Sequence, residues 1–345
     1  MYQLVYQVVG GLLGRWYDQS VNYLYANSRL VVAPNGHPIY MIGGWEFSAE
    51  TPEDSLTQSE AFRAQLDTLP WLTYRSGFAP LTGGLTSDSG WGCTVRSSQM
   101  LIAAAMVHSE LGKEFKRDIT ATPEANTTYA KIVSLFADDV AAPMGLHRIM
   151  EYSLENNIVS RAGQWFGPHA ATSVLTNRRN SASPSLDHIG LFFGLDGVIS
   201  RRYVQKALDR FPRGVLLILS ARLTAEMCID THRAKAPILE LFKVPSFRGI
   251  VGGDGVSQSY FFPAASEDYL YILDPHTTQP AVPPSLEASD LNRFVSPQPG
   301  VMAMRWPRLG SSMAFAFLVP SQAALTQLET ELATLSKSLG FGFAK

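Results

Sequence analysis

The chain has 345 residues, of which 46% are hydrophobic and 17% are charged. This composition excludes an intrinsically disordered chain and supplies enough apolar side chain for a sizeable core. The formal net charge of -2 gives no electrostatic basis for binding nucleic acid or an anionic membrane surface.

The first half of the chain is predicted to be largely helical, from the spacing of its apolar residues. The helix that begins at Cys93 is expected to be buried, because it is rich in alanine and methionine. The predicted elements, in chain order, are an arm or helix over residues 1–30, a short strand at Pro38–Gly43, a loop and helix at Thr51–Gln65, helices at Cys93–Val107, Leu146–Asn156 and Gly167–Leu175, and a surface loop at Asn177–Ser185.

The second half is predicted to be rich in strands, because apolar and aromatic runs alternate there with turn residues. The glycines of Gly252–Gly255 predict a flexible loop. The other predicted elements are strands at Gly214–Ser220, Gln258–Phe262, Tyr269–Leu273 and Met313–Val319, and a helix at Pro320–Leu339 that ends at Gly340. A helical first half and a strand-rich second half predict an α+β fold.

The chain contains two cysteines, Cys93 and Cys228. A secreted disulfide scaffold needs many more, so we expect a reducing compartment, the cytoplasm. The two cysteines lack the close spacing of zinc ligands and no H-E-x-x-H motif accompanies them, so no metal and no other cofactor is expected. No basic segment precedes the apolar stretch from Met1 to Gly14, which argues against a signal peptide.

Cys93 is the candidate nucleophile. Gly90 and Gly92 flank a tryptophan directly before it, and glycines permit a tight turn with close backbone approach. A cysteine at a helix N-terminus is favoured as a thiolate, and the free N–H groups there can donate to an oxyanion. A lone cysteine is more often a buried structural thiol, but the glycine turn and the helix start favour catalysis here.

Asp274 and His276 are the candidate acid and base. They flank Pro275 after an apolar run, and residues two apart on an extended strand point to the same face. Asp274 can therefore hydrogen-bond one imidazole nitrogen and leave the other for a thiol. The alternative is a turn with a solvated aspartate and a surface histidine, since Asp-Pro commonly opens turns. Among the other histidines, His169 is the main rival base.

These segments resemble the autophagins, the cysteine peptidases of autophagy. The resemblance is carried, in the family's order, by Thr73–Arg75, Ser87–Arg96 with Gln99–Met100, Gly163–Pro168, Gly252–Gly253 and Leu273–Pro280. It extends from about Pro38 to about Phe317. It implies a single domain over residues 1–345, with a papain-like core, a small inserted subdomain and a variable surface region at roughly 176–212.

The resemblance also implies an activity: hydrolysis after the C-terminal glycine of a ubiquitin-like autophagy modifier. The substrates would be the modifier precursor and its conjugate with phosphatidylethanolamine, so membrane contact would come only through the lipidated substrate. Tyr74 matches the family's oxyanion tyrosine, Trp165 the tryptophan that covers the active-site entrance, and Gly252–Ser259 the mobile loop that substrate displaces. Thr94 and His169 depart from the family's methionine and asparagine.

Two other functions stay open. One is a peptidase for a different ubiquitin-like modifier, because such relatives also use an Asp-Pro-His segment. The other is a catalytically silent module that binds the modifier, against which the intact set of Cys93, Asp274 and His276 argues. In the N-terminal arm, Tyr2–Val5 fits an aromatic-x-x-aliphatic motif that docks by strand addition, but the same residues fit one face of an amphipathic helix.

Overall fold

A computed structural model describes residues 31–116, 123–182, 188–194, 197–255, 258–283, 285–286, 288–295, 301–339 and 342–344 of the chain. The arm predicted over residues 1–30, including Tyr2–Val5, lies outside these ranges. None of the helices in the described ranges combines the length and the apolarity that crossing a bilayer requires.

The described α-helices, in chain order, are α1 (Pro52–Leu66), α2 (Cys93–Leu111), α3 (Pro123–Ser134), α4 (Leu146–Glu155), α5 (Pro168–Ala182), α6 (Arg201–Arg210), α7 (Thr231–Lys243), α8 (Ala288–Leu291) and α9 (Gln322–Leu339). The described strands are β1 (Ile39–Met41), β2 (Trp45–Phe47), β3 (Tyr74–Ser76), β4 (Gly190–Gly194), β5 (Val198–Ser200), β6 (Val215–Arg222), β7 (Phe247–Gly253), β8 (Ser259–Ala265), β9 (Tyr269–Leu273), β10 (Thr278–Pro280), β11 (Met302–Arg305), β12 (Ser312–Val319) and β13 (Gly342–Ala344).

A nine-stranded sheet forms the centre of the fold, with the strand order β11-β9-β8-β7-β12-β6-β4 and with β1 and β2 added beside β8. Its strands pair antiparallel except for β4 and β6, which are parallel. Nearly every residue of β6, β8 and β12 is buried, which explains their continuous apolar sequences. The region predicted to be variable, at roughly 176–212, contains strand β4 of this sheet.

Helix α2 packs across the sheet against β7 and β8. Every residue from Cys93 to Val107 is buried, because the helix has the sheet on one side and α3 and α5 on others. Small alanines and adaptable methionines allow such close approach on all faces. The buried helix predicted at Cys93 is therefore confirmed, and it holds the candidate nucleophile at one end of the core.

A small parallel sheet joins two distant parts of the chain. Strand β10 pairs with β3, with Thr278 opposite Tyr74 and Gln279 opposite Arg75. The segment after His276 is thereby held beside the segment that precedes Cys93. This pairing brings together blocks that are about 200 positions apart, as the hydrogen bonds between them record.

The predicted α+β fold with a papain-like core is confirmed, and so are the strands at Tyr269–Leu273 and Met313–Val319, which appear as β9 and β12. Two loop predictions were wrong. The loop predicted from Asn177 is helical as far as Ala182, because no proline or glycine interrupts the chain before Pro184. Gly252 and Gly253 are not in a free loop: they end strand β7 and pair with Tyr260 and Ser259 of β8.

Candidate active site

Cys93 is the first residue of α2, and only 1% of its surface is exposed. Gly92 caps the helix and accepts from the Arg96 N–H at 3.0 Å. A Cβ on Gly92 would lie 2.4 Å from Oδ2 of Asp88, so only glycine allows this carboxylate to approach the start of the helix. Close packing against Asp88 thus explains why a glycine directly precedes Cys93.

Asp274 and His276 follow directly after β9. The Oδ1 atom of Asp274 accepts from the His276 backbone N–H at 2.9 Å and from Nδ1 of the imidazole ring. Because Nδ1 donates to the carboxylate, Nε2 is the nitrogen left for a thiol. The backbone of this segment is also fixed, since the Trp71 indole donates to the Asp274 carbonyl at 2.8 Å and the Tyr74 N–H donates to Pro275 at 2.9 Å.

Two tyrosine rings hold the imidazole of His276 between them. The rings of Tyr74 and Tyr260 each lie 5.4 Å from the imidazole, at interplanar angles of 84° and 68°. Edge-to-face contacts of this kind restrict rotation of the ring. The orientation of His276 is therefore set by packing as well as by Asp274.

The pKa values of Cys93 and His276 shift in opposite directions. Burial raises the pKa of Cys93, but the hydrogen bond and charge of His276 outweigh it, with help from Trp165 and Tyr74, so the net shift is downward. Burial lowers the pKa of His276, but Asp274 and then Cys93 raise it to about 10. A lowered thiol pKa and a raised imidazole pKa favour a thiolate–imidazolium pair in the resting protein at neutral pH.

Tyr74 and Trp165 both lie within hydrogen-bonding reach of the Cys93 sulfur. Burial of Tyr74, and then the charge and hydrogen bond of Cys93, raise the pKa of its phenol, so the hydroxyl keeps its proton and stays a donor. Trp165 lies just before α5 and is 44% exposed. The structure therefore brings five side chains together: the candidate triad of Cys93, His276 and Asp274, with Tyr74 and Trp165.

Comparison with known families identifies the class of this site. A model of the family described as "Peptidase C54 catalytic domain" matches residues 59–331, which contain every residue of the triad. The chain belongs to the peptidase C54 family. It therefore carries a cysteine-type peptidase domain.

Curated members of this family match over most of the chain. A probable cysteine protease atg4 from Sclerotinia sclerotiorum is 29% identical over 76% of this chain and 64% of its own length. The cysteine protease ATG4C of Homo sapiens is 28% identical over 71% and 66%, and that of Xenopus tropicalis is 27% identical over 86% and 75%. The chain spans less than two thirds of the length of the fungal relatives, from 64% for the Sclerotinia sclerotiorum protein down to 50% for one from Pyricularia oryzae.

A buried cluster of four charged side chains supports the start of α2, and it was not among the predicted features. Arg96 donates to Asp88 and to Asp138 at 2.7 Å each, and Arg75 lies 3.8 Å from Asp138. Oδ1 of Asp88 also accepts from the Arg75 N–H at 2.6 Å. The signal available was Arg96 itself, because a charged residue inside an otherwise buried helix requires an internal partner.

Two other residues that the sequence offered as candidates, His169 and Cys228, make different contacts from those of the candidate triad. The Nδ1 atom of His169 is 2.8 Å from the Ser220 hydroxyl, and its ring packs on Phe193. Cys228 is half-buried, with its sulfur 3.9 Å from the carbonyls of Asp254 and Arg308. Neither arrangement includes a base beside a thiol, so the rival assignments receive no support from the contacts of these residues.

Proposed function

We propose that this chain is a cysteine peptidase in which Cys93 is the nucleophile, His276 the general acid–base and Asp274 the group that orients the imidazole. The observation that carries this proposal is the continuous set of contacts from Asp274 through His276 to Cys93 at the N-terminus of α2. A silent binding module would have no use for a buried, polarised thiol–imidazole pair, so we rank that alternative second.

Acylation would begin with attack of the Cys93 thiolate on the carbonyl carbon of the scissile amide. The new S–C bond places a negative charge on the carbonyl oxygen. Donors available to this oxyanion are the Tyr74 hydroxyl and the free N–H groups of the first turn of α2, a site that the helix dipole also favours. The C–N bond then breaks, and Nε2 of His276 gives its proton to the departing amine.

Deacylation would reverse the roles. A water molecule gives a proton to the now neutral His276 and attacks the thioester carbonyl. The C–S bond breaks, the acid product leaves, and the thiolate–imidazolium pair is restored. Asp274 stays ionised throughout and stabilises the imidazolium.

We propose as substrates the precursor of a ubiquitin-like autophagy modifier and its conjugate with phosphatidylethanolamine, cleaved after the modifier's C-terminal glycine. Both carry an amide on the same glycine carbonyl, so one mechanism serves both. The deeply buried thiol and the Trp165 indole beside it suit an extended glycine tail, which has no side chain to clash. The reaction would take place in the cytoplasm, with membrane contact only through the lipidated substrate.

We further propose that Trp165 and the segment Gly252–Ser259 act as a cover over Cys93. Gly252 pairs with Tyr260, whose ring contacts His276. A movement of this segment would therefore shift Tyr260 and change its contact with the imidazole ring of His276.

The deciding experiment mixes the purified chain with modifier precursors and reads the products by mass spectrometry. The expected product ends at the exposed glycine, and the Cys93→Ala chain should release none. A second arm uses the conjugate in liposomes. If the chain binds the precursor tightly but leaves it intact, the silent module is correct; if only another ubiquitin-like precursor is cleaved, the modifier assignment is wrong.

A further inference from the structure

Away from the active site, a cavity lies between the C-terminal end of α2 and strands β1, β2 and β7. The volume open to the centres of water molecules is about 30 Å³, whereas one water needs about 10–15 Å³ on the same measure. His108, Lys113 and Arg248 line it, together with the aromatic rings of Trp45 and Phe115. Within the described part of the chain, no aspartate or glutamate is among its lining residues.

Arg248 is the most unusual of these residues, because it is a buried cation for which the described ranges provide no countercharge. It is 4% exposed. Its Nη1 donates to the carbonyls of Pro245 and Phe247 at 2.8 and 2.7 Å, whereas its Nε–H has no hydrogen-bond partner in the described ranges. Burial alone lowers the pKa of Arg248 to about 9. Buried charges in proteins are normally paired or hold a ligand.

The position of Arg248 is built into the sheet. The next residue, Gly249, has φ +99°, and the pairing of β7 with β12 shifts register between Phe315 and Phe317. A Cβ on Gly249 would lie 2.7 Å from the Phe262 carbonyl oxygen, so glycine is required. Irregularities of this kind re-aim neighbouring side chains and are common at functional sites.

Lys113 adds a second positive charge to the cavity, and His108 adds a neutral hydrogen-bond donor. Lys113 donates to the Gly44 carbonyl at 3.2 Å and lies 4.3 Å from the centre of the Trp45 ring. Burial, and then the charges of Arg248 and Lys113, lower the pKa of His108 to about 3, so His108 is a neutral donor. The C-terminus of α2 contributes about half a negative charge, which offsets only part of the two full positive charges.

We propose that this cavity binds a small tetrahedral oxyanion of the phosphate class, held by Arg248 and Lys113 with His108 as a further donor. Such an ion would supply both an acceptor for the Nε–H of Arg248 and the missing countercharge. The guanidinium group matches phosphate oxygens in shape and charge. Apolar side chains such as Leu69 and Val107 also line the cavity, and they strengthen the attraction by lowering the local dielectric constant. The site is independent of the proposed peptidase chemistry.

The test is a titration with inorganic phosphate at constant ionic strength, followed by thermal unfolding and by calorimetry. A ligand that binds only the folded chain raises Tm in a saturable way. The wild-type chain should show this rise, and Arg248→Leu should bind phosphate about tenfold more weakly or worse. Arg222→Leu is the matched control, because Arg222 also donates to two backbone carbonyls but is exposed; its affinity should not change.

Two further arms keep the result decisive. Lys113→Gln should weaken phosphate binding while leaving Arg248 in place. This variant provides the test if Arg248→Leu does not fold. Phenyl phosphate distinguishes a free ion from a phosphate carried by a larger molecule: tighter binding than inorganic phosphate indicates that Trp45 and Phe115 receive the carrier, and weaker binding indicates the free ion. No saturable rise with either compound, or equal affinity in the wild type and Arg248→Leu, would overturn the proposal.

Discussion

The indole of Trp165 lies within hydrogen-bonding reach of the Cys93 sulfur, although 44% of the Trp165 surface is exposed and only 1% of Cys93 is. The Trp165 side chain therefore extends from the solvent-exposed surface to the buried Cys93 thiol. This arrangement gives Trp165 two separable effects on the thiol. It limits physical access to the sulfur, and it lowers the pKa of Cys93.

Substitutions at Trp165 should separate these two effects. We expect Trp165→Ala to react faster than the wild type with a bulky thiol reagent such as a pyrene maleimide, and to change little toward iodoacetamide. Trp165→Phe keeps the ring but loses the N–H donor, so it should still exclude the bulky reagent. Alkylation followed by intact-mass measurement provides the rates, and equal rates for all three proteins with both reagents would remove the case for a cover.

Replacing the nucleophile should abolish turnover without loss of binding. Cys93→Ser keeps the shape of the site, but a hydroxyl is not ionised by this imidazole and so remains a poor nucleophile. Cleavage of the precursor is expected to fall below detection, while affinity measured by calorimetry stays within a few-fold. Cys228→Ser is the control and should cleave at the wild-type rate; an inactive Cys228→Ser chain would show that the nucleophile is misassigned.

The rate of Cys93 alkylation should depend on pH as a thiolate–imidazolium pair. The pKa of Cys93 is lowered and that of His276 is raised to about 10, so the pair persists between these values. The alkylation rate should therefore stay constant as the pH falls well below the ordinary thiol pKa of about 8.5. The apparent pKa values read from the profile belong to the pair and not to either residue. Asp274→Asn removes the charge that raises the His276 pKa and should move the acid limb upward, whereas His169→Gln should leave the profile unchanged.

Tyr74→Phe should lower kcat more than it weakens substrate binding. The hydroxyl is proposed to donate to an oxyanion that exists only near the transition state, so its loss is felt in the chemical step. The expected loss is about 100-fold in kcat, or about 3 kcal/mol. Steady-state kinetics on the precursor measures the split, and a change confined to KM would make Tyr74 a packing residue.

Gly92→Ala should destabilise the fold as well as the site. The new Cβ would lie 2.4 Å from Oδ2 of Asp88, and moving this carboxylate breaks its bond to Arg96. Disrupting a buried ion pair costs about 3–5 kcal/mol, which urea unfolding resolves. Gly167→Ala is the matched control, because its Cβ would have no neighbour closer than 3.9 Å; we expect a change under about 1 kcal/mol there.

The parts of the site that depend on local sequence could be predicted. Cys93 at a helix start, and Asp274 and His276 after a strand, follow from short patterns of glycine, apolar and turn residues. The partners that come from elsewhere could not be predicted this way. Nothing near Asp138 indicates that it meets Arg96, because such contacts depend on the tertiary arrangement.

The errors have the same origin. Gly252 and Gly253 were interpreted as a loop because glycine is intrinsically flexible. In the folded chain they pair with β8, and a Cβ on Gly253 would lie 2.3 Å from the Gln258 carbonyl oxygen. Glycine there serves close packing between strands, which propensity alone does not distinguish from freedom to move.

The parallel pairing of β10 with β3 has a consequence for how the protein acquires a reactive thiol. Tyr74 and Trp71 donate hydrogen bonds to the carbonyls of Pro275 and Asp274, which lie about 200 residues later in the chain. A growing polypeptide that has emerged from the ribosome only as far as α7 already contains Cys93 but has neither its base nor its orienting acid. With the proposed roles of these residues, the thiol would keep its ordinary, weakly ionised character during most of synthesis and would become a nucleophile only after the last third of the chain has docked.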